Sequence, residues 1–145
     1  MRVLVLHGPN LNLLGTREPD VYGSQTLADL DERVRKEAAE LGLEVDIHQS
    51  AREGELIELL NEGVGKVSGA LINPGAYSHT SYAIADAIRS VDFPVVEVHI
   101  SNIHAREPWR RVSVTAEAAA GVVAGFGIGS YAAGLRALYS LMEAR

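Results

Sequence analysis

Short apolar runs alternate with longer amphipathic segments along this chain, and that alternation restricts the folds open to it more than any other feature. Val3 to Leu6 is a continuous apolar run closed by His7-Gly8-Pro9, the pattern of a strand buried on both faces. Thr26 to Leu41 places Leu27, Leu30, Val34, Ala38 and Leu41 on one helical side, with Gly42 at the stop. Leu43 to His48 predicts a second strand, about Glu53 to Asn61 a helix with Leu56, Ile57, Leu59 and Leu60 as its apolar side, and Ser68 to Ile72 a third strand stopped by Asn73-Pro74-Gly75. A helix over roughly Ser81 to Ser90, strands over Val95 to Val98 and Ala119 to Ala124, and a helix from about Gly129 onward complete the order. Buried strands alternating with helices imply an α/β fold, a doubly wound parallel sheet with helices on both faces. A single domain over residues 1–145 can hold it, because a chain of this size buries roughly two-thirds of its unfolded surface.

In such sheets ligands bind beyond the carboxyl ends of the strands, where the strand order switches direction. Asn10, Asn73 and His99 each fall just past a predicted strand end, on the first, third and fourth strands. Asparagine after a strand is often only a turn former, and a lone histidine is often structural. Their common placement on one sheet edge favours a site.

The connection from Gly8 to Gly23 is long, and long loops in compact domains usually carry function. It holds Asn10, Arg17 and Tyr22. Tyrosine is a poor base at neutral pH because the phenol ionises only near pH ~10. A guanidinium ~4 Å away favours the phenolate, so the loop carries a latent base together with its activator.

Composition narrows the remaining possibilities. A net charge of -6 and a pI near 5.3 argue against nucleic acid as the main partner, so local cations must hold any anionic ligand. No stretch approaches the ~20 uninterrupted apolar residues of a membrane helix. There is no cysteine, and the first residues run straight into an apolar strand without a basic leader, which predicts a soluble cytoplasmic protein. Lysine occurs only at Lys36 and Lys66, both in polar surroundings, which weighs against Schiff-base chemistry.

Four blocks carry a family resemblance: Gly-Pro-Asn-Leu-Asn-Leu-Leu-Gly from Gly8 to Gly15, Arg17-Glu18-Pro19 with Tyr22-Gly23, the run from Asn73 to Ser81, and Glu97-Val98-His99-Ile100-Ser101-Asn102. In order and spacing the chain resembles type II 3-dehydroquinate dehydratases over its full length. The resemblance implies a flavodoxin-like five-stranded sheet in order 2-1-3-4-5 and a homododecamer built as a tetramer of trimers. It implies dehydration of 3-dehydroquinate to 3-dehydroshikimate by anti elimination through an enolate, in the shikimate pathway of aromatic amino acid biosynthesis or in quinate use. In this resemblance Tyr22 is the base, Arg17 favours its ionised form, His99 is the general acid and Asn10 stabilises the enolate, through an ordered water. Asn73, Ile100, Ser101 and Arg110 hold the hydroxyls and carboxylate, His79 adds a contact, and Glu97 orients His99 or a neighbouring group. Arg111 is either the solvated member of its pair with Arg110 or shares its role. Asp86 lies seven residues beyond His79, ~10 Å along a helix rising ~1.5 Å per residue, so one acid cannot easily serve both places. The resemblance lets Asp86 reach the site of a neighbouring subunit; Arg89, one turn on, is a possible ion-pair partner.

Other signals fit less well. Gly125-Phe-Gly127-Ile-Gly129 follows a strand and opens a helix like a dinucleotide loop, but no further strand or ribose-reading acid follows, and close strand-to-helix packing better explains the glycines. His99 and His104 are five apart without a cysteine or clustered carboxylate, so no metal is expected, and no cofactor. A flavodoxin-like binding or signalling module would share the fold, but this sequence has Gly8-Pro9-Asn10 where a receiver carries its acidic cluster after the first strand. Another enolate-forming lyase acting on a polyol acid would share the base and acid and differ in substrate contacts.

Overall fold

The computed structural model describes residues 1–145. Its strands are β1 (Arg2–His7), β2 (Glu44–Gln49), β3 (Gly69–Asn73), β4 (Val95–His99) and β5 (Gly121–Ala124). Its helices are α1 (Pro19–Tyr22), α2 (Leu27–Glu40), α3 (Glu53–Glu62), α4 (Tyr82–Ser90) and α5 (Gly129–Glu143). The strands form one parallel sheet in order β2-β1-β3-β4-β5. This is the expected flavodoxin-like arrangement.

Successive strand residues point to opposite faces, so each buried strand feeds two cores. Val3 and Val5 of β1, Leu71 of β3 and Val96 and Val98 of β4 pack with Leu30 and Val34 of α2 and Leu135 and Leu138 of α5. Leu4 and Leu6, Ile72 and Val95 pack on the other face with Leu56 and Leu60 of α3 and Ile84 and Ile88 of α4. Helix α2 begins where its sequence predicts: the Thr26 hydroxyl accepts from the Asp29 amide at 3.2 Å, and the Asp29 carboxylate accepts from the Thr26 amide at 3.0 Å. No helix is long and apolar enough to cross a membrane.

Three features depart from the sequence reading. β5 starts at Gly121 rather than Ala119, because the amides of Ala118 and Ala119 turn back onto the Thr115 carbonyl at 3.0 and 3.2 Å. Gly125 and Gly127 serve a turn instead of close packing: their φ angles are 98° and 61°, in the left-handed region that glycine enters without steric cost. The close approach belongs to Gly134, where a Cβ would stand 2.5 Å from Val98 Cγ1, so α5 lies directly on the sheet. Finally, Asn73 and His99 are the last residues of their strands rather than the first beyond them. Ladder hydrogen bonding therefore fixes their backbones, and their side chains start from rigid positions.

The chain leaves β1 outward to β2 on one side, while β3 pairs on the other. Loops after β1 and β3 thus diverge and open a crevice at the carboxyl ends of these strands. The loop holding Leu11–Leu13 and α1 closes one side of it. The irregular stretch after β4, with short turns at Ile103–Ala105 and Pro108–Arg111, closes the other.

Candidate active site

The crevice is a cleft that, with the solvent-open space at its mouth, spans about 510 Å³. Asn10, Arg17, Tyr22, Asn73, His79, His99, Ile100, Ser101 and Arg110 all line it, so nine of the ten residues expected from sequence meet at one place. Arg106 joins them.

Tyr22, at the end of α1, is clasped by two guanidinium groups. Arg17 Nη2 donates to its hydroxyl at 3.3 Å, and Arg106 Nη1 donates at 2.6 Å. Both cations also lie against the ring, at 4.5 and 5.0 Å from its centroid. Sequence reasoning supplied Arg17 but missed Arg106, the tighter donor. The available signal was an arginine in a long stretch without regular periodicity just past a strand end, where functional loops concentrate. Arg106 also donates to Ser101 Oγ at 3.3 Å, tying the tyrosine to the segment after β4. Glu18 stands outside the pair, 3.1 Å from Arg17 and 3.8 Å from Arg106, and keeps the two like charges together.

His99 lies on the opposite face of the sheet from Asn73 and is almost buried. Its Nε2 pairs with Glu97 Oε2 at 2.9 Å. Glu97 is fully buried, and a buried carboxylate must be satisfied by donors. Ser113 Oγ donates to Oε2 at 2.8 Å and Thr115 Oγ1 donates to Oε1. Glu97 therefore does orient His99, leaving Nδ1 as the free ring nitrogen. The two hydroxyls are further groups that sequence reasoning did not find, because nothing in a Ser-x-Thr spacing marks a carboxylate clamp.

His79, at the end of a short turn before α4, stacks on His99 with centroids 6.5 Å apart and 20° between ring planes. Its Nδ1 pairs with the Val112 carbonyl at 2.7 Å, and Trp109 meets its ring edge-on at 5.2 Å. Burial pushes its pKa below the ordinary 6.5, and the nearby His99 and Arg110 act in the same direction, outweighing the Val112 carbonyl and Glu97. A ligand at neutral pH therefore meets a neutral imidazole. Histidine NMR titration of the free protein is expected to place the His79 midpoint below 6.5; a midpoint at or above it would contradict this electrostatic picture.

Arg110 is braced for anion recognition. It stacks over Trp109 at 4.1 Å and is held by Glu107 at 2.9 Å, and its hydrogen bond draws the exposed Glu107 carboxyl below its ordinary pKa. Arg111 is exposed and lies outside the cleft lining, which makes it the solvated member of the pair. The amides of Ile100 and Ser101 donate to no protein acceptor, leaving two N–H groups for a ligand carboxylate or hydroxyl. Asn10, at φ 70°, is exposed and its side chain makes no helix-cap hydrogen bond, so its amide is open to a ligand. Three arginines at the cleft make a positive focus on an acidic chain.

Asp86 is the exception. It is exposed on α4, does not line its own chain's cleft, and forms no ion pair with Arg89. Its carbonyl accepts from Ser90 Oγ at 2.8 Å. The residue faces away because the buried side of α4 is taken by Ile84, Ala85, Ala87 and Ile88.

A doubly wound sheet presenting a doubly braced tyrosine, a carboxylate-held histidine and a cationic cleft defines a small α/β enzyme fold with one polar, positively charged site. The class II dehydroquinase family matches residues 1–139, and the chain belongs to that family. It is 51% identical over 147 residues to a 3-dehydroquinate dehydratase of Marinomonas sp., covering 98% of each protein. It is 50% identical over 129 residues to a catabolic 3-dehydroquinase of Aspergillus oryzae, covering 89% of this chain and 84% of the relative. The crystal structure of a type II dehydroquinase from Butyrivibrio crossotus superposes with a TM-score of 0.93 at 40% identity, covering 95% of this chain and 97% of the other.

Proposed function

We propose that the chain converts 3-dehydroquinate to 3-dehydroshikimate by anti elimination of water through an enolate. The observation that carries this reading is the Tyr22 hydroxyl held by two guanidinium donors, at 2.6 and 3.3 Å, across the cleft wall from the His99–Glu97 pair. Two charge-assisted hydrogen bonds from cations hold this oxygen in the cleft, where Tyr22 serves as the base. It takes the proton beside the substrate ketone, and the electron pair of that C–H bond becomes the enolate. Asn10, a neutral donor needing no ionisation, supports the enolate oxygen through an ordered water. Collapse of the enolate expels the hydroxyl one carbon further on, which leaves as water with a proton from His99. Glu97 stabilises the imidazolium before transfer and holds its ring orientation.

Arg110 and the free amides of Ile100 and Ser101 suit the substrate carboxylate, because a planar guanidinium forks onto a carboxylate where an ammonium would not. Asn73 and neutral His79 suit its hydroxyls. The relatives carry both a general and a catabolic dehydroquinase name, and a biosynthetic or a quinate-consuming role would use the same chemistry. A homododecamer built from trimers is part of the same reading. Tyr82, 75% exposed, and Asp86 on the outer side of α4 support a subunit covering this face and taking Asp86 toward its site.

The test is a continuous ultraviolet assay of purified protein with 3-dehydroquinate, with EDTA present and a borohydride-treated aliquot in parallel. The expected result is a conjugated enone carboxylate formed equally under all conditions. No product from folded protein would contradict the substrate; loss of activity with EDTA or borohydride would contradict the phenolate route.

A further inference from the structure

Glu97 is fully buried, and a buried carboxylate is costly unless donors occupy its oxygens. It lies two residues before His99 on β4, so both side chains leave the same face of the sheet and continue the row of Val95, which packs against α3 and α4. His99 Nε2 meets Oε2 at 2.9 Å, but one imidazole leaves Oε1 without a partner. Ser113 and Thr115 complete the set: Ser113 Oγ donates to Oε2 at 2.8 Å and Thr115 Oγ1 donates to Oε1. The segment that brings them is itself pinned. Between the two hydroxyl residues the Val114 amide donates to the Ser78 carbonyl at 2.7 Å, and just beyond them the Ala116 amide donates to Ser113 Oγ at 3.0 Å. Thr115 is fully buried, and neither hydroxyl residue lines the cleft.

We propose that Ser113 and Thr115 are positioning residues for proton delivery by His99: they lock the Glu97 carboxylate, which fixes the imidazole with a hydrogen on Nε2 and reserves Nδ1 for the leaving group.

The direction follows from donor and acceptor capacity. Ser113 Oγ accepts from Ala116, and its one hydrogen goes to Glu97. Thr115 gives its one hydrogen to the other carboxylate oxygen, so the 3.1 Å between the two hydroxyl oxygens reflects their shared acceptor. A carboxylate offers no hydrogen to His99, so Nε2 must carry one and donate it. That leaves Nδ1 as the place for the transferable proton. When the hydroxyl departs, the C–O electron pair goes with it, the Nδ1 proton completes the water, and the ring returns to its neutral form with the Nε2 hydrogen in place. No proton passes through Glu97. Without the two hydroxyls His99 alone holds the carboxylate, and the two groups can turn together.

The proposal rests on His99 acting as general acid in the proposed reaction, and the experiment separates the two. Ser113→Ala, Thr115→Val and the conservative Thr115→Ser are compared with wild type and His99→Ala by steady-state kinetics on 3-dehydroquinate and by deuterium entry beside the ketone in heavy water. Ser113→Ala and Thr115→Val are each expected to lower kcat roughly 5- to 10-fold, the size of one modest hydrogen bond, with KM within about twofold. Deuterium entry should fall less than dehydration, a split that a general loss of folded protein does not produce. Thr115→Ser keeps the hydroxyl and should hold kcat within about twofold of wild type. In the His99→Ala background Thr115→Val should add nothing further to the loss, because the ring it positions is gone. The split in His99→Ala without the split in Ser113→Ala and Thr115→Val, or wild-type kcat in both, would overturn the clamp while leaving the general acid intact. Equal loss of exchange and dehydration in His99→Ala would remove the general acid and this proposal with it. Histidine ¹⁵N spectra of the unsubstituted protein give a readout that no folding defect can disturb. The neutral His99 ring is expected to show hydrogen on Nε2 and a bare Nδ1, and hydrogen on Nδ1 alone would overturn the direction.

Discussion

Tyr22→Phe is expected to lower turnover at least ~100-fold, the usual scale for losing a positioned acid or base. The substitution keeps the ring, so both cation–ring contacts at 4.5 and 5.0 Å survive and the loop holding α1 should keep its place. What disappears is the single oxygen on which Arg17 and Arg106 converge. The substrate contacts proposed for Arg110, Asn73 and Ile100 are untouched, so KM should move far less than kcat. Arg17→Ala and Arg106→Ala should each lower turnover at least ~100-fold, since both donate to that oxygen and Arg106, the closer donor, also braces Ser101. Near-normal turnover in Tyr22→Phe, measured by enone absorbance, would remove the phenolate from the mechanism.

His99→Ala is the second large effect, also at least ~100-fold in turnover. Here the cost falls on departure of the hydroxyl rather than on formation of the enolate. The substitution also leaves Glu97 buried with one donor fewer, retaining Ser113 and Thr115. Removing a donor from a buried carboxylate is destabilising, so a lower melting temperature should accompany the kinetic loss. The variant is informative because the two hydroxyls still hold the carboxylate in place. Wild-type dehydration in folded His99→Ala would dismiss the histidine as general acid.

The layered α/β architecture was legible because β1, β3 and β4 are buried and mostly apolar and α2, α3, α4 and α5 each carry one apolar side. Strand order was not legible from periodicity, since a parallel strand looks the same wherever it sits in the sheet; it came from the resemblance. Asn10, Asn73 and His99 could be placed together because the fold puts all carboxyl strand ends on one edge. Arg106 could not be joined to Tyr22, 84 residues away, by any local pattern. Ser113 and Thr115 were hidden for the same reason, on a segment whose order comes from contacts with Glu97 and not from its own periodicity. The late start of β5 is the backbone trace of that contact, as the Thr115 carbonyl draws Ala118 and Ala119 into a turn. Asp86 shows the reverse case: its expected role came from an assembly, and within its own chain it faces outward.

The proposed mechanism divides labour between Tyr22 and His99, and hydrogen exchange beside the ketone separates their roles most directly. Folded variants are incubated with 3-dehydroquinate in heavy water, and NMR follows deuterium entering the substrate alongside product formation. With Tyr22 as base and His99 as acid, His99→Ala should exchange the proton faster than it dehydrates, while Tyr22→Phe should do neither. Equal loss of exchange and dehydration in His99→Ala, or persistent exchange in Tyr22→Phe, would contradict it.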